Sequence, residues 1–172
     1  MKVIIRQENM DDYTAVFEVN KLAFGQVNEA HLVDLLRESK AFVPELSLVA
    51  TFDNNIIGHI LFTKIKIVND KNDTESLALA PMAIRPEFQN KGIGGQLITY
   101  GLEIAKDLQF KSVIVLGHEH YYPKFGFVPA AKWNIQSPYE VPSNVFMALE
   151  LVTDGLKCVS GLVKYAKAFE KV

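Results

Sequence analysis

Residues 77–116 constrain the fold more than any other part of this sequence. Leu77–Ile84 is an apolar run of strand character, interrupted by Pro81. Gln89–Gly95 is a glycine-rich turn, and Leu97, Ile98, Leu102, Ala105 and Leu108 mark one side of a helix reaching about Gln109. Ser112–Leu116 is a continuous apolar run, typical of a strand buried on both faces. A strand, a turn, a helix and a strand in this order make a crossover with parallel strands and a right-handed connection.

The flanking sequence supplies antiparallel partners. Val3–Arg6 predicts a first strand. Asn9 or Asp11 can cap a helix carrying Tyr13, Val16, Phe17 and Ala23, and Asn28 a second helix carrying Leu32, Leu35 and Leu36. Ser47–Phe52 and Ile56–Val68 read as a hairpin around Asp53, Asn54 and Asn55, residue types that tolerate positive φ. Asn69–Ser76 reads as a polar turn, Tyr121–Phe125 as a short helix ending at Gly126, and Val145–Leu151 as a last clear strand. The tail from Leu156 either adds a strand or covers the sheet loosely. The expected class is α+β, with a mixed, mostly antiparallel central sheet, one parallel β-α-β crossover and helices on both faces. Its 172 residues predict a single domain spanning the whole chain.

Composition narrows the partners. A net charge of −2 gives no electrostatic reason to expect nucleic acid or an anionic membrane. No apolar run approaches the ~18 residues of a membrane span. The single cysteine, Cys158, cannot form an internal disulfide, so a cytoplasmic location is expected. The four histidines and Cys158 show no metal-ligand spacing, so no metal is expected. His59 falls within the long strand and is expected to be a partly buried sheet histidine.

The glycine turn carries the functional signal. Glycines let backbone N–H groups approach a ligand with no Cβ in the way. The helix that follows begins with unsatisfied N–H groups and the positive end of a dipole, a natural phosphate site. Lys91 adds a charge beside it. The P-loop pattern is absent, which opposes a nucleotide hydrolase. The dinucleotide Gly-x-Gly-x-x-Gly pattern is absent too, since position 97 is leucine. Taken alone, the turn is also compatible with a tight connection that binds nothing.

Its context is more specific. Pro81, Met82, Ala83, Ile84, Arg85 and Pro86 precede the turn Gln89-Asn90-Lys91-Gly92-Ile93-Gly94, and Leu116–Phe127 reads Leu-Gly-x-x-x-Tyr-Tyr-x-x-Phe-Gly-Phe. This resembles the GNAT superfamily of N-acetyltransferases, in particular a branch of small bacterial members. Element order matches over nearly the whole chain, and the match is most specific over residues 77–127. The resemblance implies acetyl-CoA as cosubstrate. Gln89, Asn90, Lys91, Gly92, Ile93, Gly94 and Gly95 are expected at its pyrophosphate, and the strand residues Met82, Ala83 and Ile84 along its pantetheine arm. It further implies a strand that splays from its parallel neighbour, and Pro81 sits where pairing should begin to fail; a simple bulge is the alternative. A small-molecule or peptide amine is the implied acceptor. Dimerisation, common in the family, has no sequence feature here that carries it.

Making an amide from a thioester needs a neutral amine, donors for the tetrahedral oxyanion, a proton for the leaving thiolate, and both reactants held together. The family's usual acid is a tyrosine four residues before Gly-Phe, which points to Tyr122; it also has a place at the cofactor. The oxyanion donor implied is the backbone N–H of Ile84 or Ala83. His118 and Glu119, at the carboxyl edge past the second parallel strand, can take the amine's proton, or simply belong to a solvated loop. A catalytically silent acyl-CoA-binding sensor would carry the same turn; Tyr122 favours the enzyme.

Overall fold

A computed structural model describes all residues, 1–172. Nine strands and three helices follow one another as β1 (Ile4–Gln7), α1 (Tyr13–Phe24), α2 (Asn28–Arg37), β2 (Phe42–Phe52), β3 (Asn55–Val68), β4 (Asp73–Ile84), α3 (Ile93–Asp107), β5 (Ser112–Leu116), β6 (Val128–Pro129), β7 (Ile135–Gln136), β8 (Phe146–Glu150) and β9 (Gly161–Lys164). The hydrogen-bonded strand order is β1-β2-β3-β4-β5-β8-β6, with β9 paired to β3 and to β7. The sheet is mostly antiparallel, and β4 and β5 run parallel, as the crossover requires. A second parallel pair, β7 with β9, is only two residues long, and no periodicity in so short a segment announces it.

Several boundaries differ from the sequence expectation, each for a local reason. Asn28 is the first residue of α2 and not its cap: His31 N–H already bonds to Val27 O at 2.9 Å. The polar turn closes at Asn72, because Asn69 Oδ1 accepts from Lys71 N–H at 2.9 Å and Asn72 N–H at 3.0 Å. Residues 73–76 are therefore strand. β2 begins at Phe42, with a register shift before Ser47 that accommodates Pro44. The tail supplies β9 and a 3-10 turn, Lys167–Lys171.

The chain forms two compact units, residues 1–63, 80–104 and 166–172 in one, and 64–79 and 105–165 in the other. In the first, β3 is buried without interruption from Ile56 to Thr63, so both its faces are covered. Alternation along the strand separates the two. Leu61 joins Val49, Val16, Val19, Val33 and Leu36 under α1 and α2. Gly58 and Phe62 face α3, where a Cβ on Gly58 would lie 3.3 Å from Leu97 and a Cβ on Gly101 would lie 2.3 Å from Phe62. The second unit has its own core, built from Ile65, Ile67, Ala78, Ile114, Phe146, Ala148, Leu156 and Val163.

A buried polar chain crosses the α1–α2 side of the first unit. Arg37 of α2 is paired with Glu8, and the two side chains are 6% and 2% exposed. Ser47 Oγ donates to Glu8 Oε2 at 2.7 Å and so accepts from His59 Nε2 at 3.0 Å. That fixes the His59 tautomer, whose Nδ1 accepts from Asn20 Nδ2 at 3.4 Å. His59 is fully buried, where the sequence suggested partial burial. Burial, and then the charge of Arg37, push it down to about 3. It is neutral, so its 4.0 Å approach to Glu8 is no ion pair. A histidine depressed in the folded state binds fewer protons than the unfolded chain between about 3 and its ordinary ~6.5. Stability is therefore full above that window and falls as pH drops through it. In urea denaturation, His59→Gln is expected to lose less stability between pH 7 and pH 4.5 than the parent; an equal loss would assign the acid sensitivity elsewhere.

Candidate active site

β4 ends at Ile84 and the chain enters the glycine turn through a short 3-10 segment, Pro86–Phe88. Arg85 N–H bonds to Ile57 O at 2.9 Å, which anchors the end of β4 to β3. Gln89 Nε2 reaches back to Ile84 O at 3.0 Å and ties the turn to that strand end. Lys91 Nζ bonds to Glu87 O at 3.0 Å and lies over the Phe88 ring, 5.3 Å from its centroid. Two left-handed residues, Asn90 at φ +60° and Gly92 at φ +79°, turn the chain into α3. Glycine takes that conformation without the ~1 kcal/mol that a Cβ would cost.

The helix begins earlier than the sequence suggested. Ile93 is its first residue, so Gly94 and Gly95 lie in its first turn and not in a loop before it. Gln96 N–H makes the first helical bond, to Gly92 O at 3.2 Å. The N–H groups of Ile93, Gly94 and Gly95 precede it and have no intrahelical acceptor. Ile93 is 1% exposed and pins this end to the core, while Gly92 is open, with nothing within 4 Å of a Cβ placed on it. A helix start with donors that lack intrahelical acceptors, a dipole and open space beside Gly92 suits an anionic phosphate.

Met82, Ala83 and Ile84 are brought next to this turn. Ala83 points into the α1–α2 core, and the Ile84 side chain lies beneath Gly58. The parallel register between β4 and β5 consists of Leu77 opposite Val113 and Ala78 opposite Ile114. It stops before Pro81, whose peptide bond with Ala80 is cis.

Tyr122, His118 and Glu119 belong to the other unit, on the segment after β5. Tyr121 N–H and Tyr122 N–H both bond to His118 O, at 3.1 and 3.4 Å, and fold this segment into a turn. A 3-10 turn, Tyr122–Phe125, follows and is closed by Gly126 at φ +96°. Tyr122 is 8% exposed. Its ring packs edge-to-face with those of Tyr121 and Phe127, with centroids 5.2 and 5.7 Å apart. Burial, helped by Tyr121, pushes its hydroxyl up to about 12. His118 is exposed, and Glu119 is half-buried, 3.7 Å from the exposed His120. Sequence reasoning missed Gly117, over which the Tyr122 ring lies. Its only signal was its place in the Leu-Gly-x-x-x-Tyr-Tyr stretch. No group of three or more His, Cys, Asp or Glu is arranged to hold a metal ion, and no helix is long and apolar enough to cross a membrane.

A mixed, mostly antiparallel sheet with a parallel β4–β5 pair, the two strands connected in the chain by a glycine turn and α3, is the fold of an acyltransferase class. The model of the acetyltransferase (GNAT) family matches residues 7–127, and the chain belongs to that family. It is 39% identical to the N-acetyltransferase YjhQ of Escherichia coli K12 over 132 residues, covering 76% of this chain and 73% of that protein. Among solved structures, it resembles the E. coli GNAT N-acetyltransferase YhbS in complex with CoA, at TM-score 0.91 and 29% identity, covering 99% of this chain and 93% of that one. It also resembles a GNAT family acetyltransferase from Brucella melitensis in complex with acetyl-CoA, at TM-score 0.80 and 31% identity, with 98% of each chain covered.

The Gln89 tether is exposed and is one neutral hydrogen bond, worth about 1 kcal/mol. Gln89→Ala is expected to leave global stability within about that margin while speeding amide exchange at residues 90–92. Unchanged exchange there would show that the turn is held by its left-handed residues alone.

Proposed function

We propose that this protein transfers the acetyl group of acetyl-CoA to a primary amine by direct attack in a ternary complex. The observation that carries this is the start of α3, where the N–H groups of Ile93, Gly94 and Gly95 have no intrahelical acceptor and Gly92 leaves the approach open. The two relatives crystallised with CoA and acetyl-CoA support it. In this reading Gln89–Gly95 hold the pyrophosphate, and Met82, Ala83 and Ile84 line the pantetheine arm. The amine nitrogen attacks the thioester carbon, and a backbone N–H of Ile84 or Ala83 donates to the oxyanion. The carbon–sulfur bond then breaks, and the amine's proton leaves through His118 or Glu119, directly or by way of water, and ends on the thiol.

Tyr122 acts on the sulfur. Its hydroxyl, pushed up to about 12, stays protonated at neutral pH. Full transfer of its proton to a thiolate whose acid ionises near ~8.5 is uphill by several kcal/mol. Tyr122 therefore serves as a hydrogen-bond donor to the developing thiolate more than as a complete acid. A hydrogen bond to a charged group is worth about 1.5–3 kcal/mol, or roughly 10- to 100-fold in rate.

Free-thiol release from acetyl-CoA, measured with spermidine, phenethylamine, Nα-acetyl-lysine and a peptide with a free N-terminus, tests the reaction. Release with at least one amine is expected; CoA binding without release over an extended amine panel would favour a silent CoA sensor. Tyr122→Phe is expected to lower kcat by roughly 10- to 100-fold with little change in the KM for acetyl-CoA. Unchanged turnover would remove its role. Gly92→Glu and Gly92→Gln share the backbone strain and differ in charge, so calorimetry should show acetyl-CoA binding at least about tenfold weaker in the glutamate variant. Equal affinities would argue against a phosphate at this turn.

A further inference from the structure

We propose that Gly117 is a positioning residue for this reaction, and that the absence of a side chain there sets where the Tyr122 ring lies. The inference rests on the assignment of Tyr122 as donor to the sulfur. A Cβ at position 117 would stand 2.3 Å from Tyr122 Cε2, 2.8 Å from Cδ2 and 3.3 Å from Cζ. The ring occupies the space a side chain would need, and Cζ bears the hydroxyl. Gly117 is not among the glycines with positive φ, so the position uses glycine for its missing Cβ and not for conformational freedom.

The backbone is held on both sides of this contact, so the Tyr122 ring is what must give. Gly117 N–H bonds to Val145 O at 2.9 Å, and the preceding Leu116 is in register with Phe146 of β8. The backbone at 117 is thus held at the strand end. The ring packs edge-to-face with Tyr121 and Phe127, and Phe127 is 1% exposed. The Tyr122 backbone is fixed by its bond to His118 O and by the left-handed Gly126 that closes its turn. The three atoms nearest a methyl group at 117 all belong to the Tyr122 ring, and relieving a 2.3 Å approach moves that ring by about an ångström or more. A misplacement of that size can cost about 100-fold in rate without touching the chemistry of the group.

This separates Gly117 from a glycine that only permits packing. At Gly101 the side chain overhead is Phe62, wholly apolar and in the core. At Gly117 it is a phenol whose hydroxyl has a proposed task. A packing role would reduce stability; a positioning role reduces kcat through Tyr122 and through no other residue.

A double-mutant cycle with Gly117→Ala and Tyr122→Phe reads the difference, assayed as thiol release from acetyl-CoA with whichever of the four amines above turns over fastest. Gly117→Ala is expected to lower kcat about tenfold or more, to leave the KM for acetyl-CoA within about twofold, and to add no further loss in the Tyr122→Phe background. Wild-type kcat in Gly117→Ala, or the same loss in both backgrounds, would overturn the inference while leaving Tyr122 in its role. Full turnover in Tyr122→Phe would instead remove the Tyr122 assignment and the inference with it. Should Gly117→Ala fail to fold, Phe127→Leu loosens another neighbour of the ring. It is then expected to lower kcat only where Tyr122 is present, and a loss equal in both backgrounds again overturns the proposal.

Discussion

The Glu8 carboxylate sits out of water just past the end of β1, accepting from Arg37 on α2 and from Ser47 on β2. A lone buried carboxylate is too costly to persist, so its position dictates that those partners be brought to it. Arg37 is gathered in turn by Asp34 at 2.6 Å and by the Tyr13 ring of α1, 3.8 Å from its centroid. Ser47 extends the chain to His59 on β3 and Asn20 on α1. One buried ion pair and the hydrogen bonds it extends thus link α1 and α2 to β2, β3 and the residue after β1 in the first compact unit. Apolar packing of Val16, Val33, Leu36, Val49 and Leu61 supplies the bulk of the stabilisation around it. Dispersion and burial have little directional preference; the hydrogen-bonded chain does.

That fixed side of the sheet supports the end of β4, from which the chain enters the glycine turn. β3, covered on both faces, holds the end of β4 through the bond from Arg85 N–H to Ile57 O. The turn after it is short, tied back by Gln89, and delivers the chain into α3 with the helix axis already anchored by Ile93 and Leu97. Donors at a helix start are useful to a ligand only if they do not move, and here they are fixed by core packing behind them. Glycine does three separate jobs along this stretch and the next. At Gly92 it supplies a positive φ, at Gly101 it lets a helix approach Phe62, and at Gly117 it leaves space for a tyrosine ring.

The crossover was legible because its parts have strong local signals: an apolar run, a glycine turn, a helical stripe and a second apolar run, each long enough to show its period. The same holds for the α1 and α2 stripes and for the turn at Asp53 and Asn54, which do adopt positive φ. Less was legible where length ran out. β6 and β7 are two residues each, and β9 is four, so pairing with a distant strand, not propensity, decides that they are strands at all. The polar residues Asp73–Ser76 looked like turn because nothing in their composition reveals that Asn69 closes the turn early.

The sequence by itself determined the crossover and the glycine-rich segment at its helix start, because each is a matter of residue type at short spacing, and its resemblance to a family pointed to Tyr122 as the tyrosine of interest. Only the tertiary structure decided that His59 is neutral in a chain with Glu8 and Arg37, residues 22 or more positions away from one another. It alone showed that Lys91 is folded back on Glu87, and that Gly94 and Gly95 belong to the helix. It also revealed that Tyr122 is buried over Gly117. The physical reason is the same in each case. Desolvation, close packing and backbone pairing depend on what the rest of the chain brings alongside a residue, and spacing along the sequence carries no record of that.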